Sequence, residues 1–242
     1  MSDSIFVHSF ESLAALDGPG IRLAVFLAGC PLRCVYCHNP ETWLQEKAES
    51  YTAETLHKKA LRYVPYFADN GGVTLSGGEP LLQAEAILPL VEMLQNSDIR
   101  VALDTAGSLY NSSVDALLRK KPMLLLDIKM PDEVRYKKYT GGQLCTTLQV
   151  LEKANEYGCE VWLRYVVVPG LNDAAQDVQM VIDTAKRYPC VNNINLLPYH
   201  TLGVGKYKAL GIPYPLADTL PPSEEKMAYL QGLVDTGFIK NK

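Results

Sequence analysis

Six short apolar runs, each followed by a helical stretch, constrain this chain more than any other feature. They cover residues 21–27, 73–76, 100–104, 123–129, 160–168 and 193–198. Helical spacing of apolar residues fills the intervals 51–68, 83–96, 111–120, 144–157 and 173–188, with a shorter helix at 132–139. Strand alternating with helix predicts an α/β fold on a parallel sheet. The uninterrupted run Met123-Leu124-Leu125-Leu126 suits a strand covered on both faces. Six such units fall short of the eight that close a barrel. The expectation is therefore a partial (β/α)6 barrel, TIM-like, with its parallel sheet open on one side. No repeat, linker or low-complexity tract divides the chain, so residues 1–242 read as one domain. Its core covers about 20–200, and a C-terminal loop and helix occupy 201–242. Thr52 is the expected N-cap of the 51–68 helix, and Pro65 its kink or end. Glycine and proline make 203–222 a long loop, after which Ser223 caps a last helix through Leu233.

Cys30, Cys34 and Cys37, spaced C-x3-C-x2-C, follow the first apolar run at once. Three thiols at the mouth of a sheet suggest a metal site, and the residues leave its kind open. With His38 they could form a Cys3His zinc site. They could hold a [4Fe–4S] cluster, which normally takes four thiolates and here would keep one iron free. They could also be plain buried thiols. Cys145 and Cys159 read as packed thiols, isolated in sequence like Cys190. The formal net charge of −4 gives no sign of a nucleic-acid surface. No apolar run reaches the roughly 20 residues of a membrane span, and the first residues lack a signal-peptide pattern. A cytoplasmic protein with reduced thiols is expected, which favours metal ligation.

The other chemistry sits where strands end. Gly77-Gly78-Glu79-Pro80 follows the second strand. It is either a plain turn or a place where backbone approaches a ligand closely. Asp104-Thr105 and Asp127-Ile128-Lys129 end the third and fourth strands, on the face that carries active sites in barrels. Both aspartates could equally be solvated strand ends. Arg164 interrupts an apolar strand and needs an anionic partner. His200 follows the sixth strand, and Asp17-Gly18-Pro19-Gly20 forms a tight loop before the first.

Taken together, the cysteine loop with Tyr36, the GGEP turn, the Asp-Thr and Asp-Ile-Lys strand ends and the Leu196-Leu197-Pro198-Tyr199-His200 segment resemble the radical S-adenosylmethionine (SAM) enzymes. The string Asp17-Gly18-Pro19-Gly20-Ile21-Arg22 narrows the resemblance to activators of glycyl-radical enzymes. No cysteine occurs between 40 and 72, where many such activators carry a ferredoxin-like insert. The resemblance implies that Cys30, Cys34 and Cys37 ligate a [4Fe–4S] cluster whose fourth iron binds SAM. It implies SAM contacts at Tyr36, Cys37, His38, Gly77, Gly78, Glu79, Asp127, Ile128, Lys129, Arg164 and His200. It implies a monovalent cation at Asp104, Thr105 and Asp127, and places Asp17 and His38 near the substrate glycine. The expected reaction is reductive cleavage of SAM and removal of a glycine α-hydrogen from pyruvate formate-lyase. Flavodoxin or ferredoxin is the expected electron donor, and the expected state is a monomer. Two rival readings are an activator of another glycyl-radical enzyme and a non-catalytic zinc-binding interaction protein.

Overall fold

Alternation along the strands separates two environments. Leu23, Val25 and Leu27, Val73 and Leu75, Val101 and Leu103, and Leu124 and Leu126 belong to one buried apolar core with the helices. The residues between them are Ala24, Thr74, Ser76, Ala102, Asp104, Leu125 and Asp127, and they face the other way. The first set holds the layers together, and the second lines the concave side of the sheet. The computed structural model describes residues 4–46 and 48–239.

The strands are β1 (Ile5–Ala14), β2 (Arg22–Leu27), β3 (Glu49–Tyr51), β4 (Gly72–Gly77), β5 (Arg100–Thr105), β6 (Met123–Asp127), β7 (Val161–Val167) and β8 (Val191–Pro198). The helices are α1 (Ala53–Leu61), α2 (Val64–Phe67), α3 (Ala84–Gln95), α4 (Ser112–Leu118), α5 (Glu133–Thr140), α6 (Leu144–Tyr157), α7 (Ala175–Arg187), α8 (Val204–Leu210) and α9 (Glu224–Gly237). The strands form one sheet in the order β3-β1-β2-β4-β5-β6-β7-β8. From β2 to β8 every pairing is parallel. β3 and β8 are the two edges and do not pair with each other, so the barrel stays open.

The six expected parallel strands are present, and the open α/β architecture is as expected. Two strands extend it. β1 runs antiparallel to β2, with Val7 opposite Leu27 and Phe10 opposite Val25. β3 adds antiparallel to β1, with Ile5 opposite Tyr51. Tyr51 therefore ends a strand rather than starting a helix. Thr52 caps α1, its hydroxyl accepting from the Thr55 N–H at 3.2 Å. Pro65 lies in the first turn of α2, where a missing N–H costs nothing. The stretch 203–222 is not all loop: it contains α8, ended by Gly211 in the left-handed conformation. Ser223 caps α9 as expected, accepting from the Lys226 N–H at 3.1 Å.

Candidate active site

Because six parallel strands point one way, their C-terminal ends gather at one rim, from which the cysteine loop, the 77–80 turn, Asp104-Thr105, Asp127–Lys129 and the segment to His200 leave. The cysteine loop is fastened there by its backbone. Gly29 N–H donates to Thr42 O at 2.7 Å, Cys30 N–H to Trp43 O at 3.2 Å, Arg33 N–H to Thr140 O at 2.7 Å and Val35 N–H to Tyr139 O at 2.9 Å. The Arg33 side chain donates to the carbonyls of Cys30 and Leu32, both at 2.7 Å. The loop is thus wedged between Thr42-Trp43 and the end of α5.

Cys34 is buried, and Cys30 and Cys37 are partly so; all three are free thiols. Burial pushes the Cys30 and Cys34 thiols up to about 12, and raises Cys37 as well. A hydrogen bond from the Trp43 side chain works against that rise at Cys37. Thiols so placed become thiolates when metal replaces their protons. Among the described residues, no three His, Cys, Asp or Glu side chains converge as the ligand set of one ion. A zinc site needs such convergence. A [4Fe–4S] cluster spreads its thiolates over different irons, and this donor set fits it. Tyr36, between the cysteines, is buried, and its hydroxyl donates to Lys129 O at 2.7 Å.

The glycines of the next turn are required by contact. A Cβ on Gly78 would stand 2.2 Å from Gly29 O, and one on Gly77 would stand 2.4 Å from Leu27 N. Gly77 also has a φ of +104°, which side chains disfavour. Close approach lets Glu79 N–H donate to Gly29 O at 2.8 Å, so the turn and the cysteine loop are one unit. Glu79 itself is 1% exposed. Its carboxylate accepts from Thr105 Oγ1 at 2.5 Å, Leu81 N–H and Ala106 N–H at 3.1 Å, Ser108 Oγ at 3.0 Å and Ser108 N–H at 3.4 Å. Burial still raises its pKa.

On the concave side polar and charged groups form a chain from β4 to β7. Ser76 Oγ donates to Asp104 Oδ2 at 2.8 Å. Arg164 Nη1 lies 3.3 Å from the same oxygen, and its Nε lies 3.9 Å from Asp127 Oδ1. Lys129 Nζ donates to the other Asp127 oxygen at 2.6 Å. Register explains the grouping: Asp127 sits opposite Arg164, and Asp104 opposite Leu125, two residues before Asp127. Arg164 Nη1 is buried and makes no well-aligned hydrogen bond, so it keeps a donor for an anion. Burial raises Asp104, and the guanidinium of Arg164 opposes the rise. Asp17 is raised by burial, then by Asp104, which puts it near the same charges.

Asp17 reaches this place from the other end of the barrel. The Arg22 guanidinium, 1% exposed, collects Thr74 Oγ1 at 2.5 Å, Val73 O at 2.9 Å and Pro19 O at 3.1 Å. Thr74 in turn donates to Asp17 O at 2.6 Å. At the rim, the His38 and His200 rings meet edge to face at 4.6 Å. Burial lowers the pKa of His38, as do the nearby Lys206 and His200. The structure thus gathers Cys30, Cys34, Cys37, Tyr36, His38 and His200 on the rim, and Asp17, Asp104, Asp127, Lys129 and Arg164 beside it. Glu79 and Thr105 are turned toward each other. Ile128 is buried in the apolar core, and its N–H donates to Arg164 O at 2.9 Å. The sequence reading missed Ser76, Trp43 and the clamp made by Arg22. Only Ser76 had a signal, its inward place in the strand alternation.

The model of the radical SAM superfamily matches residues 25–185. The pyruvate formate-lyase-activating enzyme of Clostridium pasteurianum is 42% identical over 226 residues, covering 93% of this chain and 94% of that one. That of Streptococcus mutans is 37% identical over 238 residues, covering 95% and 90%. Among solved structures, a domain of pyruvate-formate lyase-activating enzyme from Bacteroides vulgatus matches with a TM-score of 0.57 at 24% identity, covering 70% of this chain and 96% of that one. Streptococcus suis SuiB bound to S-adenosylmethionine matches with a TM-score of 0.62 at 15% identity, covering 89% and 44%. These two share the fold.

Proposed function

We propose, from the premise that this chain belongs to the radical SAM superfamily and within it to the family of pyruvate formate-lyase-activating enzymes, that it installs a glycyl radical on pyruvate formate-lyase. Its cofactors are a [4Fe–4S] cluster and SAM. When bound, they would supply one-electron reductive cleavage of SAM and, from it, removal of a glycine α-hydrogen. The observation that carries the reading is the burial of three spaced thiols on the rim beside the facing charges of Asp104, Arg164, Asp127 and Lys129.

The chain's own residues have these parts. Cys30, Cys34 and Cys37 would hold the cluster. Tyr36, fixed by its bond to Lys129 O, offers a rigid aromatic wall for an adenine. Gly77 and Gly78 bring backbone close to the ligand, and Glu79 holds the 105–108 loop in place behind it. Arg164, with its spare donor, and Lys129 suit the carboxylate of SAM; Asp104 and Asp127 suit its ammonium. A monovalent cation held by Asp104, Thr105 and Asp127 would add to the positive charge that Arg164 and Lys129 already set against the two aspartates. His38 and His200 stand at the entrance, and Asp17 stands on the concave side where a glycine-bearing loop would enter past the open sheet. Leu32, Cys34 and Ala106 form a small buried cluster that keeps water from the thiols. The reading includes flavodoxin or ferredoxin as electron donor, a monomeric state and action in the cytoplasm. Among the described residues no helix is long and apolar enough to cross a membrane.

The test is electron paramagnetic resonance on reconstituted, reduced protein under anaerobic conditions. A reduced-cluster signal that changes with SAM, followed by a glycine-centred radical on added pyruvate formate-lyase, is expected. A SAM-sensitive cluster with no radical on that partner would assign the chain another substrate.

A further inference from the structure

The segment after β8 folds back over the cysteine loop. A Cβ on Gly203 would stand 3.3 Å from His38 Cα and 3.4 Å from Cys37 O, so the start of α8 rests on the loop backbone. Lys206 Nζ donates to Asn39 Oδ1 at 2.7 Å and pairs with Glu41 Oε1 at 2.6 Å. These contacts hold α8 against residues 37–41.

Tyr207 is the side chain that α8 turns inward, and it is 1% exposed. Its ring meets Trp43 edge to face at 5.8 Å and Tyr214 at 4.8 Å. Trp43 belongs to the cysteine loop's surroundings: its carbonyl accepts from Cys30 N–H at 3.2 Å, and its side chain hydrogen-bonds Cys37. The neighbouring tyrosines pair with each other, Tyr199 and Tyr214 hydroxyls lying 2.7 Å apart. The Tyr207 hydroxyl is buried and has no hydrogen-bond partner. Such orphans are rare and costly in a folded chain. Burial raises its pKa most, and Cys37 and then Cys34 are the next causes, which agrees with the ring's contact to Trp43, the hydrogen-bond partner of Cys37.

We propose that the Tyr207 hydroxyl donates its missing hydrogen bond to a sulfur of the bound cluster at the Cys37 corner, and thereby tunes the cluster's reduction. The inference rests on the cluster reading above. One electron taken from the donor protein would leave a bound cluster more negative. A hydrogen bond to sulfur is stronger to the more negative form, so it favours the reduced state. Tyr207 is a positioning residue for electron uptake; it takes no part in hydrogen abstraction.

Tyr207→Phe keeps the ring against Trp43 and Tyr214 and removes only the O–H. At a fixed potential its reduced-to-oxidised ratio should fall by about tenfold, which is about 59 mV more negative for a one-electron couple. The experiment is a redox titration of the wild type, Tyr207→Phe and Tyr214→Phe, followed by paramagnetic resonance, with iron and sulfide counted per chain. A more negative midpoint in Tyr207→Phe alone is expected. A midpoint equal to the wild type's overturns the inference while leaving the cluster intact. Should Tyr207→Phe fail to hold a cluster, 3-fluorotyrosine in place of Tyr207 gives a stronger donor of nearly the same shape. It should move the midpoint the other way, and an unmoved midpoint there also overturns the inference. A wild type without iron and sulfide overturns the cluster reading itself.

Discussion

Glu79 separates two uses of a carboxylate. One that exists for an ammonium ligand can be removed from the ligand-free protein at little cost. One that satisfies its own chain cannot. Here five donors from Leu81, Thr105, Ala106 and Ser108 converge on it. Glu79→Ala leaves them unpartnered, and each buried orphan costs about 1–3 kcal/mol. We expect urea unfolding of the cluster-free protein to show a loss of about 2–4 kcal/mol after partial rescue by water. Glu79→Gln should lose less, because an amide oxygen replaces one acceptor while its NH2 faces donors. A loss under about 1 kcal/mol in Glu79→Ala would return the side chain to ligand duty. The sequence showed the residue but not its partners, all of which but Leu81 come from 26 to 29 positions later. Arg164 was more legible: an arginine within an apolar strand demands anions, and register alone then brings Asp127 opposite it.

Elements were legible where their pattern is internal. The six parallel strands declare themselves by continuous or alternating apolar residues. β3 is three residues long and exists only because β1 offers an edge, so nothing within it announces a strand. α8 lies in a glycine-rich stretch, and its inward residue Tyr207 needs the cysteine loop as its counterpart. The junction of two elements, β2 with its cysteine loop and β4 with its glycine turn, is so close that a Cβ on Gly78 would stand 2.2 Å from Gly29 O, and no side chain can enter. Gly78→Ala must push the Gly29 carbonyl away and break the 2.8 Å bond from Glu79 N–H. Overpacking against backbone typically costs about 1–3 kcal/mol. The expected outcome is a folded protein that takes up well under half the wild-type iron on reconstitution, measured as iron per chain. Full iron uptake would mean that the cysteine loop does not depend on this contact.

At the scale of the whole molecule, burial of the thiols is a product of three distant parts of the chain. The loop at 30–37 is closed by residues 139–140, by Trp43 and by α8. Together they raise Cys30 and Cys34 to about 12, and Cys37 in the same direction. The sign of the linkage follows. In the unfolded chain a thiol titrates near 8.5, roughly the ordinary value. Below that pH both states hold the proton, and pH has no effect through these groups. Between about 9 and about 12 the unfolded chain has lost protons that the folded cluster-free chain retains. Stability therefore falls as pH rises, by up to about 1.4 kcal/mol per pH unit for each thiol. Buried tyrosines act in the same direction, so the thiols must be isolated by substitution. The measurement is urea unfolding of reduced, metal-free protein at pH 8, 9 and 10, beside a Cys30→Ala, Cys34→Ala, Cys37→Ala variant. The wild type should lose stability more steeply than the variant, whatever their offset at pH 8. Parallel slopes would mean that the thiols are open to water and that the loop closes only around metal. A steeper slope would mean that the fold holds three protons in place until iron displaces them, so that cluster loading releases protons and proceeds more readily at higher pH.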